Sequence, residues 1–320
     1  MKPMFRSSLF AFFLVIGQAF GGYLLHPIFN LLHLPLYASL VLGQVILLII
    51  PAIIYFCVTK LPIRETLRLN PIGILDIIII IALGIFIQPA AMFIGTLASM
   101  FFPNLISKVV LEMNSLPLIT KLVVIALTPA ICEEITIRGI FLSGYRKVDI
   151  KIAARMSGLI FGILHMNMQQ FSYAFALGVL LAYLVHITNS IFASMLCHFT
   201  FNGFQTVLST IVLKMVKVKG TLPAQQDINS LPIASKVSVL VVLFLFAIIF
   251  TAISWALLMA LIQINKDKRL KKQKKQNKLN LSENIILNEE KFNASENKES
   301  IFNWPFITSI IVFVIVLFIR

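Results

Sequence analysis

The stretch from Lys121 to Gly144 reads KLVVIALTPAICEEITIRGIFLSG and is apolar over most of its length. A membrane-spanning helix needs about 20 such residues, so this stretch is long enough to cross a bilayer. Its interior nevertheless carries Glu133, Glu134 and Arg138. Each ionisable side chain at the centre of a membrane helix costs about 2.5–3.5 kcal/mol on insertion scales, so these three need partners or a function.

The rest of the chain has the composition of a multi-pass membrane protein. Of its 320 residues, 59% are hydrophobic and only 12% are charged, and the mean hydropathy is +0.94. Soluble domains are nearer to half apolar and a quarter charged. We therefore predict an all-α, polytopic transmembrane helix bundle with about eight or nine spans. The apolar runs cover residues 8–30, 37–59, 72–102, 118–142, 152–167, 171–188, 190–213, 234–264 and 304–319.

The distribution of Lys and Arg predicts the orientation of this bundle and its partners. Much of the net charge of +14 lies in one tail and in short loops beside apolar runs, as in cytoplasmic segments and lipid contacts. We expect a cytoplasmic N-terminus, although Lys214, Lys217 and Lys219 then fall on the outer side. The Ile-, Asn- and Lys-rich usage is typical of an AT-rich genome, and we expect a bacterial plasma membrane. The basic tail lacks interleaved aromatic residues, so we expect contact with the bilayer and no nucleic-acid partner.

Helical spacing separates the two adjacent glutamates. Glu134 and Arg138 are four residues apart, so they lie on one helix face and can pair. Glu133 is about 100° further round the helix and cannot share that bond equally well. It therefore needs a partner from another part of the chain, or it stays protonated.

Polar residues of two later spans are candidates for that partner. His165 lies in GLIFGILHMN, and His198 lies in ASMLCHFTFNGF with Asn202 four residues later on the same helix face. Counted from the predicted cytoplasmic ends at about 1.5 Å per residue, Glu133, His165 and His198 each lie on the order of 12–20 Å deep. Polar residues of three spans at one depth indicate a shared internal site. The alternative is a structural clasp with core histidines.

These residue types support a hydrolase, and they also fit functions without chemistry. A glutamate and a histidine can take a proton from water, and a second histidine with an asparagine amide can hold a developing oxyanion. The same Glu/His/His set can instead bind Zn²⁺, and because no HExxH motif is present, the metal stays unknown. A binding or scaffold protein fits as well. An ion-coupled carrier would use buried Glu, Arg and His as a proton path, but no internal repeat supports it.

Three short motifs follow one another on successive predicted spans. They are EEITIRG, FGILH (Phe161 to His165) and HFTFN (His198 to Asn202). They resemble the EExxxR, FxxxH and HxxxN motifs of the CAAX protease and bacteriocin-processing (CPBP, or Abi) family of intramembrane proteases. The resemblance covers about residues 118–213, and Ile137 departs from it, since many members have Phe before the arginine.

The resemblance implies hydrolysis of a peptide bond in a membrane-associated peptide or protein, possible roles being bacteriocin processing or self-immunity. A bacterium would lack prenylated proteins, so we expect a substrate other than a prenylated CaaX tail. Whether such enzymes need a metal is disputed within the family. In the family's pattern, Glu133 and His165 activate the water, His198 and Asn202 stabilise the oxyanion, and Glu134 and Arg138 support the site as an ion pair.

The motifs and the composition divide the chain into five predicted regions. A CPBP-like catalytic helix core is flanked by further transmembrane helices, and a basic and then acidic polar linker precedes a last transmembrane segment. In chain order the regions are 1–117 (N-terminal transmembrane helices), 118–213 (catalytic core), 214–264 (additional transmembrane region), 265–303 (linker) and 304–320 (C-terminal transmembrane segment).

Overall fold

The structure, a computed structural model, describes residues 1–104, 106–218, 231–283 and 299–319, and within them all regular secondary structure is helical. This confirms the predicted all-α polytopic bundle. Nine longer helices and the short helices Ile63–Thr66 and Ile106–Glu112 make up the described part when consecutive α and π segments are joined. The longer helices are α1 (Pro3–Leu31), α2 (Leu36–Thr59), α3 (Ile74–Ser99), α4 (118–141), α5 (Ile150–Ile163), α6 (Met168–Thr188), α7 (Ile191–Val218), α8 (Ile233–Glu283) and α9 (Trp304–Ile319).

Six of these helices are long and apolar enough to cross a membrane: α1, α2, α3, α6, α7 and α8. The helix α9 is apolar but shorter, and α4 and α5 contain the polar residues of the predicted site. The multi-pass character is therefore confirmed, while the count of eight or nine spans stays a prediction. The helix α8 continues through Glu283, so the first part of the predicted linker is helical, and residues 284–298 lie outside the described residues.

Three loops meet at one end of the bundle, which we call the basic end. The loop before α3 contacts the loop between α6 and α7, because the Asn70 amide donates to the Asn189 carbonyl oxygen at 2.7 Å. It also contacts the loop after α4, where the Arg146 guanidinium donates to the Thr66 carbonyl oxygen at 3.0 Å. The helix α5 thus begins at the basic end and α6 ends there. The turn between them, at residues 164–167, is largely buried within the bundle.

Cations crowd one another at the basic end. Burial first, and then the charges of Arg146 and Arg269, lower the pKa of the Arg68 guanidinium to about 10. Arg269 also donates to the carbonyl oxygen of Ile187 at 2.8 Å, at the last turn of α6. A cation at this position satisfies a free carbonyl group and favours the negative end of the helix dipole.

Glycines let α5 and α6 pack closely behind the predicted site. A Cβ atom at Gly158 would lie 2.7 Å from the Phe175 carbonyl oxygen, and one at Gly178 would lie 2.8 Å from the Gly158 Cα. No real side chain fits at such distances, so the two backbones approach each other only because both residues are glycine. This contact fixes the position of α5, which carries Phe161 and leads into His165.

The helix α4 is not a regular α-helix. Its α-helical turns Leu118–Lys121 and Thr128–Glu133 alternate with the π-helical segments Leu122–Leu127 and Glu134–Phe141. Segments with i→i+5 bonding are rare and occur mostly at functional sites. The second π-helical segment begins at Glu134 and includes Arg138, so this ion pair lies where the helix is wider than an α-helix.

Candidate active site

Four of the ionisable residues in the sequence motifs, from two helices, form one contiguous cluster. The Arg138 Nη1 atom lies 3.2 Å from Glu134 Oε1, as their spacing along the helix predicts. On its other side, Glu134 Oε1 lies 3.0 Å from the Nδ1 atom of His198, which belongs to α7. The Nε2 atom of the same imidazole lies 3.8 Å from Glu133 Oε2. His198 therefore stands between the two glutamates.

The members of this cluster differ in burial. The side chains of Glu134 and Arg138 are fully buried, and that of His198 is 3% exposed. The Glu133 side chain is 16% exposed, and its 3.8 Å contact with His198 is longer than a hydrogen bond. Glu133 is thus the charged group of the cluster that reaches open space and is not saturated by its neighbour.

The Arg138 side chain contacts both α5 and α6. Its Nη2 atom donates to the Gly178 carbonyl oxygen at 3.3 Å, and its guanidinium carbon lies 4.2 Å from the centre of the Phe161 ring. A cation over an aromatic face is favourable, and more so when both are desolvated. The arginine therefore connects α4 to the hairpin that carries the first histidine of the motifs.

His165 is positioned by the turn between α5 and α6. Its Nδ1–H donates to the Phe161 carbonyl oxygen at 2.8 Å, which leaves a lone pair on Nε2. Met166 follows in the left-handed region at φ 48°, and Asn167 caps α6 by accepting the Gln170 N–H at 2.9 Å. A methionine with positive φ is uncommon and costs about 1–2 kcal/mol. The turn is therefore tightly specified, and α5 ends two residues before the histidine.

One aromatic ring joins the two histidines. The Phe161 ring meets the rings of His165 and His198 edge-on, with centroid distances of 5.1 and 5.6 Å. The sequence motif contained this phenylalanine, but it was not among the predicted site residues. It contacts Arg138 as well, so it fixes the spacing among three polar side chains without taking part in proton transfer itself.

Asn202 reaches the helix α4 rather than the charged cluster. Its amide Nδ2 donates to the Ile125 carbonyl oxygen at 3.1 Å, within the first π-helical segment. An amide nitrogen carries two hydrogens, so a second N–H remains for another acceptor. Asn202 follows His198 by one helical turn, and the two side chains therefore lie on one face of α7.

The arrangement of donors does not fit a metal ion. Among the described residues, no group of three or more His, Cys, Asp and Glu side chains is positioned to hold one. The Nδ1 atoms of His198 and His165 are bonded to Glu134 and to the Phe161 carbonyl, which leaves each Nε2 atom available as a ligand, so it is the separation of the donors that decides against a metal site. A zinc site would need three or four such donors at about 2.0–2.2 Å from one point. We therefore derive no step through the Zn²⁺ that the sequence left open.

The comparison with protein families agrees with the motifs. Residues 115–204 match the family model described as Rce1-like, type II CAAX prenyl endopeptidase Rce1-like. The resemblance to the CPBP family is confirmed. The match covers all six predicted site residues and supports a protease, and hence a hydrolase, at the level of the family. The comparisons with curated proteins and with solved structures give no match.

Proposed function

We propose that this Rce1-like protein is an intramembrane endopeptidase that hydrolyses a peptide bond of a membrane-associated peptide or protein. The observation that carries the proposal is the position of His198 between two glutamates, one buried and paired, the other partly open. Glu134 fixes the imidazole through Nδ1, so Nε2 is aimed toward Glu133 and the reacting groups. Orientation of a histidine by a carboxylate is a recurrent feature of hydrolytic sites.

In the proposed reaction, Glu133 and His165 activate the attacking water. The Glu133 carboxylate accepts one proton of the water as the oxygen attacks the substrate carbonyl, and His165 Nε2 supplies a second acceptor. Both groups have the free lone pairs that this role needs, because neither is saturated by a hydrogen bond at the reacting atom. The proton is then delivered to the leaving nitrogen, so that a carboxylic acid and an amine are formed.

The oxyanion is stabilised by His198 and Asn202 in this proposal. A doubly protonated His198 donates from Nδ1 to Glu134 and offers its Nε2–H to the developing negative charge, together with the second N–H of Asn202. In this protonation state the negative charges of the two glutamates are balanced by the positive charges of Arg138 and His198. This balance lowers the free energy cost of burying the four groups. Arg138 supports the reaction by holding Glu134 in place.

The test compares cleavage of a peptide pool by purified variants in liposomes. The pool contains unlipidated, acylated and prenylated peptides, since substrates related to bacteriocin maturation, to self-immunity or to a CaaX tail each remain open proposals. We expect wild-type protein to cleave at least one peptide, and Glu133→Ala and His165→Ala to be slower by about 10²–10⁴-fold. The exposed residues Glu112 and His26 provide the matched controls, Glu112→Ala and His26→Ala. If wild-type protein cleaves no peptide of the pool, the proposal is overturned in favour of a non-catalytic binding or scaffold protein.

A second arm removes metals. Because the donors do not fit a metal ion, we expect the wild-type cleavage rate to persist in protein shown by elemental analysis to be metal-free. Loss of activity on metal removal and its recovery with Zn²⁺ would contradict the water activation by Glu133 and His165 alone.

A further inference from the structure

Three arginines from different parts of the chain converge at the basic end. Arg68 belongs to the loop before α3, Arg146 to the loop after α4, and Arg269 to α8. The Arg68 Nη1 atom lies 3.5 Å from the Val185 carbonyl oxygen, and Arg269 Nη2 donates to the carbonyl oxygens of the next two residues at 2.9 and 2.8 Å. Both guanidiniums therefore lie at the last turn of α6.

Arg146 joins this pair through the short helix that ends two residues before Arg68. Its Nη2 atom donates to the carbonyl oxygens of Glu65 and Thr66, the second at 3.0 Å. The positive charges of Arg146 and Arg269 reach Arg68, since together with burial they lower its pKa. We call Arg68, Arg146 and Arg269 the arginine cluster.

The backbone holds Arg68 in its place in the arginine cluster. Its φ angle of 52° is left-handed, and its carbonyl oxygen accepts the Ile191 N–H at 3.1 Å, at the start of α7. A residue other than glycine with positive φ is uncommon, so this loop conformation is specific. The side chain is only partly exposed. The guanidinium is therefore held between α6 and α7.

The protein does not balance the charge of the arginine cluster. Among the described residues, no carboxylate forms an ion pair with any of the three guanidiniums. Glu65 lies in the field of Arg146 without pairing with it. The C-terminal end of a helix carries the equivalent of about half a negative charge, so α6 offsets only a small part of three cations. Capping of α6 alone does not explain the arginine cluster.

Most of the guanidinium donors are also available. Each guanidinium carries five N–H groups. Hydrogen bonds to the described residues use at most two of them in each arginine. Arginine presents its donors in a planar fork that matches the oxygens of a phosphate group. The arginine cluster therefore has both the charge and the donors to bind an anion with several oxygens.

The surroundings favour a phosphate that is attached to a lipid. The candidate span α6 ends at Thr188, so the arginine cluster lies where a helix leaves the bilayer and headgroups begin. Trp255 and Ile262 precede Arg269 by 14 and 7 residues and share its face of α8. They are 64% and 37% exposed. An apolar strip about 21 Å long thus runs along α8 from the arginine cluster, as acyl chains require.

We propose that the arginine cluster binds the phosphate group of an anionic phospholipid whose acyl chains lie along this strip of α8. The bound phosphate neutralises cations that hold the ends of α6 and α7, and it therefore stabilises the folded protein. A phosphate monoester carries a charge of about −1.5 to −2 at pH 7 and three acceptor oxygens. Phosphatidic acid has such a group and is the suitable probe. The proposal does not depend on proteolytic activity.

Thermal unfolding of the full chain in detergent measures the binding, because a ligand of the folded state raises the unfolding temperature as its concentration increases. The probe is dioctanoyl phosphatidic acid, and the comparisons are dioctanoyl phosphatidylcholine and inorganic phosphate at equal ionic strength. We expect a saturable rise with phosphatidic acid, and an apparent Kd weaker by about 10-fold or more with phosphatidylcholine. Inorganic phosphate should not saturate over the same concentrations.

Matched variants separate a site from the general charge of this end. Arg68→Gln, Arg146→Gln and Arg269→Gln each remove one guanidinium of the arginine cluster. We expect each to weaken the apparent Kd for phosphatidic acid by about 10-fold, since a charge-assisted hydrogen bond is lost. The controls Arg64→Gln and Lys147→Gln remove exposed cations of the same end and should change it by less than about 2-fold. Arg146 and Arg269 are exposed, so their variants test the site even where Arg68→Gln does not fold.

Three results would overturn the proposal. Equal weakening by the variants of the arginine cluster and by the controls would mean that binding follows the overall charge of the basic end. Equal affinity for phosphatidylcholine would mean that the apolar strip alone holds the lipid. Saturation by inorganic phosphate at the same concentrations as phosphatidic acid would assign the arginine cluster to a free anion and overturn the lipid.

Discussion

Two buried carboxylates in this protein lie beside cations, and they differ in how completely they are satisfied. Glu134 of α4 contacts Arg138 and His198, yet its Oε2 atom and the Arg138 Nε atom have no hydrogen-bond partner among the described residues. The Ser194 hydroxyl nearby donates to the Ile191 carbonyl oxygen at 3.0 Å. The cluster therefore combines strong ion pairing with unpaired buried atoms.

Asp76 of α3 shows the opposite pattern. Its Oδ2 atom accepts the Gly73 N–H at 3.0 Å and the Lys268 ammonium at 2.6 Å, and its Oδ1 atom accepts the Asn265 amide at 3.0 Å. These bonds cap α3 and attach it to α8 at the basic end. Every oxygen has a partner, so the group is explained by stability alone.

The difference between these two clusters indicates which of them has a function beyond structure. A polar network that is fully satisfied stabilises and orders the fold, whereas each unpaired buried atom costs free energy and requires an explanation, of which a catalytic role is one. The cluster with Glu134 also includes the partly exposed Glu133 carboxylate, which lies 3.8 Å from His198 Nε2 and is not saturated by it. Charge burial by itself would not have separated the two.

The largest expected effect comes from the same chemical change made in both clusters. We expect Glu133→Gln to reduce kcat by about 10²–10⁴-fold with little change in unfolding temperature, because a general base is lost from a partly exposed position. Asp76→Asn should lower the unfolding temperature and leave kcat unchanged, because it weakens only the contact between α3 and α8. Cleavage rates and thermal unfolding in detergent measure both. The measurements are made well below the unfolding temperatures of both variants. A comparable loss of kcat in the two would contradict the assignment of catalysis to one cluster and of stability to the other.

The next effect is on stability, and it concerns the buried ion pair. We expect Arg138→Met to destabilise the protein by about 3–5 kcal/mol, because it leaves the Glu134 carboxylate buried without its cation. The double variant Glu134→Gln/Arg138→Met should recover most of that loss. Denaturant unfolding of the two single variants and the double variant gives the coupling. Additive losses would mean that the pair is not a unit.

Much of the fold and part of the site could be predicted from the sequence because they depend on local spacing. The run 304–319 matches the helix α9 at both ends, and the Glu134–Arg138 pair follows from an i,i+4 spacing on one helix. His198 and Asn202 share a face of α7 for the same reason. Patterns within one helix are fixed by its own geometry, so the sequence contains them in full.

The contacts between helices could not be predicted in this way. The bond between Glu134 and His198 joins residues 64 positions apart and depends on how α4 and α7 rotate against each other. The π-helical segment beginning at Glu134 changes that rotation, and the sequence carries no periodic signal for it. Phe161, in contrast, was present in the FxxxH motif, where its spacing of four from His165 already indicated that the two are neighbours.

A smaller effect is expected from the contact between α5 and α6, which lies next to Arg138. A Cβ atom at Gly178 would lie 2.8 Å from the Gly158 Cα and 3.3 Å from the Arg138 guanidinium. We therefore expect Gly178→Ala to cost about 1–3 kcal/mol by overpacking and to reduce cleavage as well, because it displaces the arginine that holds Glu134. In the control, Gly203→Ala on α7, the new methyl group meets Leu122 at 3.6 Å, an ordinary contact. Equal stability of both variants would show that α5 and α6 are free to separate.

The smallest effect belongs to the satisfied cluster. The Lys268 side chain is 47% exposed although its Nζ atom lies 2.6 Å from Asp76, so solvent and salt screen much of their attraction. We expect Lys268→Met to cost no more than about 1 kcal/mol, with a loss that shrinks further in high salt, since Gly73 and Asn265 still satisfy the carboxylate. Its kcat should equal that of wild type. A loss as large as that of Arg138→Met would mean that exposure does not weaken the pair, and the two clusters would then differ only in their unpaired buried atoms.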